Sequence, residues 1–232
     1  MGMKIEDMVV EFYRRVVFGA GYRTQNNTNE NYVGDLCFDN AWRDMARTLR
    51  PKEEYKSILG GKQNKETRSV EIELLKTEVK NCFNESLLTD FINQKLDVLK
   101  FIESVMCCNK TKIEFLFGQA QKVVNMFFKY FYTFKNDLKI PESCFDVCHC
   151  PVDNITLKRI YLLTKNSSQE IVKLVDKNQD KYKYISYNKN LISWSDLSKE
   201  EYENIQNVID EINTYKTRLK FEFDWGIKEY ML

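Results

Sequence analysis

The chain has 232 residues, 43% of them apolar and 13% aromatic, enough to bury a sizeable core and too apolar for a disordered protein. Its net charge of +1 gives no global signal for nucleic acid or membrane. Seven cysteines, an odd number at this length, are not a disulfide framework, so reduced thiols in a cytoplasmic protein are expected.

Lys4, Glu6 and Asp7 interrupt the first apolar stretch, which argues against a secretory leader. Ile5, Met8, Val9, Phe12, Val16 and Val17 recur at helical spacing and predict an amphipathic helix over residues 4–18, ended by Gly19-Ala20-Gly21. The Asn-rich run to Gly34 reads as a loop. A second helix follows with Asp39 as its N-cap and Ala41, Trp42, Met45, Ala46 and Leu49 facing inward, and Pro51 stops it. Arg43 and Arg47 stand one turn apart on its other side, where they form either a solvated face or a phosphate site. Residues 52–65 read as a polar connection. Its Gly60-Gly61 lacks the G-x-x-x-x-G-K-[ST] context of a phosphate-binding loop. Two more helices are predicted over residues 70–82 and 87–108, the second capped by Ser86.

Residues 111–134 then form the most apolar long stretch of the chain, read as a central helix with almost no solvated face. Joined to the preceding helix only through Asn109-Lys110-Thr111, it is expected to make a helical hairpin. Gln119, Lys122, Asn125 and Lys129 recur along it at spacings of three, three and four and so share one stripe. A polar, cationic stripe on a buried helix either lines a site or is satisfied by a buried network. No uncharged run is long enough to span a membrane, because Lys122 and Lys129 break the best candidate.

Beyond Phe134 the chain runs to Cys148-His149-Cys150-Pro151-Val152-Asp153, with Asp153 placed to cap a helix carrying Ile155, Leu157, Ile160, Tyr161 and Leu163. Residues 181–192, with Tyr182, Tyr184 and Tyr187, suit a short strand or an extended loop. Ser198 and Glu201 form a capping box for a long helix. Residues 219–226 alternate like a strand but equally continue that helix, and periodicity does not choose between them. The expected fold is mainly α. It is a single helical domain over residues 1–232, a helical hairpin around a buried central helix, with at most a small β element near the C-terminus. Residues 110–173 carry ten Lys/Arg against six Asp/Glu and residues 196–232 five against nine, a mild basic-to-acidic asymmetry.

Cys144, Cys148, His149 and Cys150 are zinc-ligand residue types, but no C-x-x-C is present and His149 cannot easily share a tetrahedron with both flanking cysteines. No metal and no cofactor are expected. His149 is the only histidine, no G-x-S-x-G elbow accompanies it, and no phosphoryl-transfer signature is present.

The run Phe117-Gly118-Gln119-Ala120-Gln121-Lys122, followed by a connection and Cys150-Pro151-Val152-Asp153 opening a helix, resembles the helix-hairpin-helix DNA glycosylases of the 8-oxoguanine class. The resemblance covers about residues 87–163 and looks closest to the archaeal branch, although Asn109-Lys110-Thr111 stands in place of that family's G-[VI]-G turn. It implies Lys122 as nucleophile, with Lys129 competing for the role, and Asp153 as the assisting carboxylate. Gln119, Asn125, Lys129, His149, Arg43, Arg47 and Trp42 would then contact the substrate, a modified or flipped base in DNA. Burial of Lys122, with Lys129 two turns away, would free the amine to attack. Two other readings stand beside it. One is a nucleotide pocket using Arg43, Arg47 and Lys122 on phosphate and Trp42 or a tyrosine on a base. The other is a non-enzymatic bacterial or phage accessory protein binding a nucleotide or a protein partner. In it, Gln119, Lys122 and Asn125 would join Asp153 and His149 in a buried network.

Overall fold

The computed structural model describes residues 30–108, 110–166, 193–212 and 217–223, together with Glu11, Arg14, Arg15 and Phe18. These residues are mainly helical. The helices are α1 (Glu30–Ala46), α2 (Lys56–Leu59), α3 (Lys65–Lys80), α4 (Glu85–Ile92), α5 (Val98–Met106), α6 (Phe117–Tyr132), α7 (Asn154–Asn166) and α8 (Lys199–Ile212). The described sheet has two short antiparallel strands, β1 (Arg50–Pro51) and β2 (Ile113–Glu114), with Arg50 opposite Glu114 and Pro51 opposite Ile113.

At the centre lies α6, whose sixteen residues are all buried. It is shorter than the apolar stretch that contains it. Residues 111–116 precede the helix and contain β2, with Thr111, Ile113 and Phe115 buried while Lys112, Glu114 and Leu116 are half-exposed. That alternation of period two is the mark of a strand, and it precedes the helical period of α6 without any glycine or proline to announce the change. The helix starts where Gln119 Oε1 accepts the Leu116 backbone N–H at 2.8 Å, while the Leu116 carbonyl accepts from the amides of Gln119 and Ala120. The hairpin partner is likewise shorter than expected. Residues 87–108 are divided into α4 and α5 by a turn in which Gln94 takes a positive φ of 56°. Each part has its own cap: Asn84, not Ser86, accepts from Leu87 N, and Asp97 accepts from Lys100 N, both at 3.1 Å. The α5 segment does pack against α6, but β2 lies in the connection between them.

Around α6 the apolar stripes of the other helices close one core. The end of the expected loop, residues 30–34, instead forms the first turn of α1, because Val33, Cys37 and Phe38 continue the same buried stripe as Ala41, Trp42 and Met45. Asp39 therefore sits inside the helix, paired with Lys76 at 2.8 Å rather than capping. The polar connection before α3 contains α2 and two 3₁₀ turns. Aromatic rings fill the interior. Phe127 stacks on Phe131 at 5.5 Å and tilts against Phe83 at 4.8 Å, and Phe91 meets Phe128 at 5.0 Å and Phe145 at 4.9 Å. The four described N-terminal residues are helical, as their spacing predicts, and Phe18 packs edge-on to Phe134 at 4.8 Å.

The Ser198–Glu201 capping box forms, with Ser198 N donating to Glu201 Oε2 at 2.8 Å and Glu201 N to Ser198 Oγ at 3.2 Å. Residues 218–223 are helical, which resolves part of the undecided C-terminal stretch. The expected strand or loop at residues 181–192 lies outside the described residues. The small β element falls between residues 50–51 and 113–114.

Gly118 has a visible reason for its size. A Cβ there would stand 2.2 Å from the Trp194 carbonyl oxygen and 2.7 Å from that of Ser195, in the 3₁₀ turn Trp194–Asp196 that crosses α6. At Gly34, within α1, the nearest atom to an added Cβ is Leu88 Cδ1 at 3.9 Å. The two glycines should therefore answer substitution with opposite signs. Gly34→Ala is expected to stabilise by about 0.5–1 kcal/mol through helix propensity. Gly118→Ala is expected to destabilise by roughly 1–3 kcal/mol through overpacking against backbone. Urea denaturation of the two variants beside the parent chain measures both.

Candidate functional site

On one side of α6 the polar residues meet the segment 148–153, α7, α8 and residues 218–223. The geometry follows from what buried polar groups require, since an amine or amide removed from water must find partners inside. Lys122 and Lys129, 5% and 4% exposed, each take a carboxylate. Lys122 Nζ lies 2.5 Å from Asp153 Oδ2, and Lys129 Nζ lies 2.7 Å from Glu222 Oε1.

Asp153 serves two helices at once. Its Oδ2 accepts from Lys122, while its Oδ1 accepts the backbone N–H groups of Ile155 and Thr156, both at 2.9 Å, and so caps α7. Burial pushes its pKa up, but the Lys122 charge and hydrogen bond and the Thr156 amide outweigh this and hold it below the usual carboxylate range. The pair is therefore ionised on the aspartate side. Access to it is uneven, since the Lys122 side chain is 7% exposed and that of Asp153 20%. The half-buried indole of Trp194 stands beside the amine, with its ring centroid 5.8 Å from Nζ.

Two glutamines hold the segment that presents Asp153. Gln121 donates to the Val152 carbonyl at 2.8 Å and accepts the Val152 N–H at 3.2 Å. From α8, Gln206 donates to the Cys150 carbonyl at 2.6 Å and accepts the Cys150 N–H at 3.3 Å. Each primary amide thus does for one loop residue what a strand partner would do. A third group of contacts runs outward. Asn125 Nδ2 donates to Tyr202 Oη at 2.8 Å, and His149 Nδ1 lies 2.8 Å from that same oxygen. Arg218 Nη1 lies 2.9 Å from His149 Nε2 and the guanidinium also forks onto Asp210. Because a guanidinium can only donate, Nε2 carries the ring lone pair and the proton sits on Nδ1, which donates to Tyr202. The Asn125 Oδ1 atom is buried and without a hydrogen-bond partner among the described residues.

Of the residues singled out from sequence, Lys122 and Asp153 come together, and Asn125, Lys129 and His149 flank them. Among the described residues no hydrogen bond joins His149 directly to either member of the pair. Gln119 is engaged elsewhere, with its oxygen on Leu116 N and its amide nitrogen 3.1 Å from the Thr48 carbonyl. Trp42 is 4% exposed and stacks on Phe38 at 6.1 Å, on the buried side of α1, whereas Arg43 and Arg47 are exposed. Arg43 donates to Asn40. The structure thus does not gather Trp42 with the two arginines. Gln121, Gln206, Tyr202, Trp194, Arg218 and Glu222 were not singled out. Gln121 had a signal, a second amide on a helix with no exposed face, but the others owe their place to α8 and the chain around it. Among the described residues no group of three or more His, Cys, Asp or Glu side chains is placed to hold a metal ion. Cys148 and Cys150 are fully buried, which pushes their thiols well above the ordinary range. No described helix is long and apolar enough to cross a membrane.

No protein-family model, curated protein or solved structure matches the chain.

His149 gives the site a pH signature. Burial first, and then the Arg218 charge, lower its pKa from the ordinary 6.5 to about 4. The unfolded chain then binds the extra proton first, so the His149 contribution to folding stability falls as pH drops from about 6.5 to about 4 and changes no further below that. The full loss is about 3 kcal/mol at most for a shift of this size. The Asp153 carboxyl, held below its ordinary 3.8, loses its contribution from the lower edge of this window downward. His149→Gln should flatten the stability curve between pH 6.5 and 4, measured by urea denaturation in stepped buffers.

Proposed function

We propose that this chain acts on or binds a modified or flipped nucleobase, as a DNA glycosylase-like protein with Lys122 as the amine and Asp153 as the assisting carboxylate. The observation that carries the reading is the meeting of Lys122 Nζ and Asp153 Oδ2 at the N-terminus of α7, beside an aromatic face offered by Trp194. In the resting protein the ion pair with Asp153 occupies the lysine amine. A nucleotide entering from the Asp153 and Trp194 side would separate the pair, stack its base on the indole and place the sugar against both groups. The lysine gives its proton to water, the free amine attacks the anomeric carbon, the glycosidic bond breaks with its electron pair leaving on the base, which takes up the proton shed by the attacking nitrogen, and opening of the sugar ring leaves the imine that borohydride reduces. The Asp153 carboxylate stabilises the positive charge that develops on the sugar. Gln121 and Gln206 supply the rigidity this needs, because they fix the backbone from which Asp153 projects.

A second reading has its own observation. Asp153 already caps α7 and Lys122 is already neutralised, so the pair satisfies itself without a substrate. On that reading the protein is non-enzymatic and binds a nucleotide or a protein partner elsewhere.

Incubation with oligonucleotides carrying 8-oxoguanine and other damaged bases, single- and double-stranded, separates the two. The parent chain should release the base and leave a borohydride-trapped adduct. Lys122→Gln should lose both while changing DNA affinity only a few-fold. Asp153→Asn should slow base release by roughly a hundred-fold or more yet keep the helix cap, since asparagine caps nearly as well. Failure of the parent chain to release any base or form an adduct would leave the second reading standing.

A further inference from the structure

Far from the lysine–aspartate pair in sequence, two helices end on cysteines. Cys82 lies two residues beyond α3 and Cys108 two residues beyond α5, each in the closing turn of its helix, with Cys82 N on the Val79 carbonyl and Cys108 N on that of Val105. Their Sγ atoms are 3.2 Å apart, across 26 residues of chain, and both reach the Glu78 carbonyl, at 3.8 Å and 3.7 Å. Both residues are half-buried, while Cys107, next to Cys108, is exposed, and Cys37, Cys144, Cys148 and Cys150 are buried. We propose that Cys82 and Cys108 are a redox modification site, a thiol pair that a small-molecule disulfide of the glutathione type converts to an intramolecular disulfide.

The geometry leaves little to move. A disulfide needs about 2.05 Å between sulfurs, so the pair must close by about 1 Å, within the reach of side-chain rotation on two helix-terminal residues. The reduced form is also the resting form. Burial, then the hydrogen bond to Cys108 and the nearby Cys108 and Glu78 groups, push the Cys82 thiol up to about 12. One thiol of the pair gives its proton to water and its thiolate attacks one sulfur of the small disulfide, forming a mixed disulfide and releasing one small thiolate, which takes up a proton. The other thiol then loses its proton to water and attacks the Sγ of the first cysteine, expelling the second small thiolate, which takes up a proton. Two protein thiols are oxidised, one disulfide is reduced to two thiols, and one protein S–S bond is formed.

The bond would tie the end of α3 to the end of α5. Since α5 packs on α6, the staple would stiffen the support of the central helix just before the chain enters β2.

The full chain, first reduced and then equilibrated with glutathione disulfide, tests this directly. Thiol titration after denaturation should lose two of the seven thiols, apart from any glutathione adduct on exposed Cys107, and a non-reducing digest should yield one peptide joining Cys82 to Cys108. The melting temperature should rise by roughly 5–10 °C and return on treatment with dithiothreitol. Cys107→Ser should keep all three changes, whereas Cys82→Ser and Cys108→Ser should lose them. A cross-link through Cys107 in place of Cys108, or seven thiols persisting apart from a glutathione adduct on Cys107, would overturn the proposal. The outcome does not depend on any activity at Lys122.

Discussion

Two lysines on a helix with no exposed face set the terms for half of this molecule. A buried ammonium without a partner is strongly destabilising, of order 3–5 kcal/mol when one member of an established pair is removed. Lys122 and Lys129 therefore each require a carboxylate delivered from elsewhere in the chain, and they draw it from different places. Asp153 comes from the loop that follows α6, Glu222 from the helical residues 218–223. Thr156 Oγ1 lies between the two pairs, 3.2 Å from Asp153 Oδ1 and 3.3 Å from Glu222 Oε2. Both pairs thus belong to one polar layer, and the layer positions α7 against α6.

The amides complete that layer in a different way. Among the described residues, loop residues 150–153 have no strand neighbour, so their buried backbone groups need other partners. Gln121 and Gln206 answer this from two helices, each covering the N–H and C=O of a single residue. The aspartate is consequently held by a frame that owes nothing to Asp153 itself. Such a frame serves a reactive pair and a purely structural pair equally well, because both require fixed geometry. The cover of the pair is asymmetric. Lys122 faces the interior and the Trp194 ring, whereas Asp153 retains contact with solvent.

Gly118 and Trp194 link the core to this cover. The absence of a side chain at Gly118 lets the turn Trp194–Asp196 lie directly on α6 one turn before Lys122. The same turn is tied to the small sheet, where Arg50 of β1 pairs with Asp196 at 2.8 Å. Residues close to the short sheet and residues close to the lysine therefore meet at this turn, although they lie far apart in sequence.

Much of this was legible in the residues alone. The helical character, the burial of the central segment, the Asp153 cap and the Ser198–Glu201 capping box follow from local periodicity and from side chains that bond to their own backbone a few positions away. The stripe of Gln119, Lys122, Asn125 and Lys129 was equally visible, as was the pairing of Lys122 with Asp153 as a possibility. Residues 111–116 show where local reading stops, since an apolar run contains a strand period and a helix period in succession, and the first is realised only because β1 is there to pair with it. The partners of the stripe were decided by tertiary structure. Gln119 turned to Thr48, Lys129 to Glu222, and Asn125 through Tyr202 to His149 and Arg218. Periodicity records which residues must be buried, but a buried polar group bonds to whichever complementary group the packing of distant helices brings within about 3 Å, and no local pattern encodes that choice.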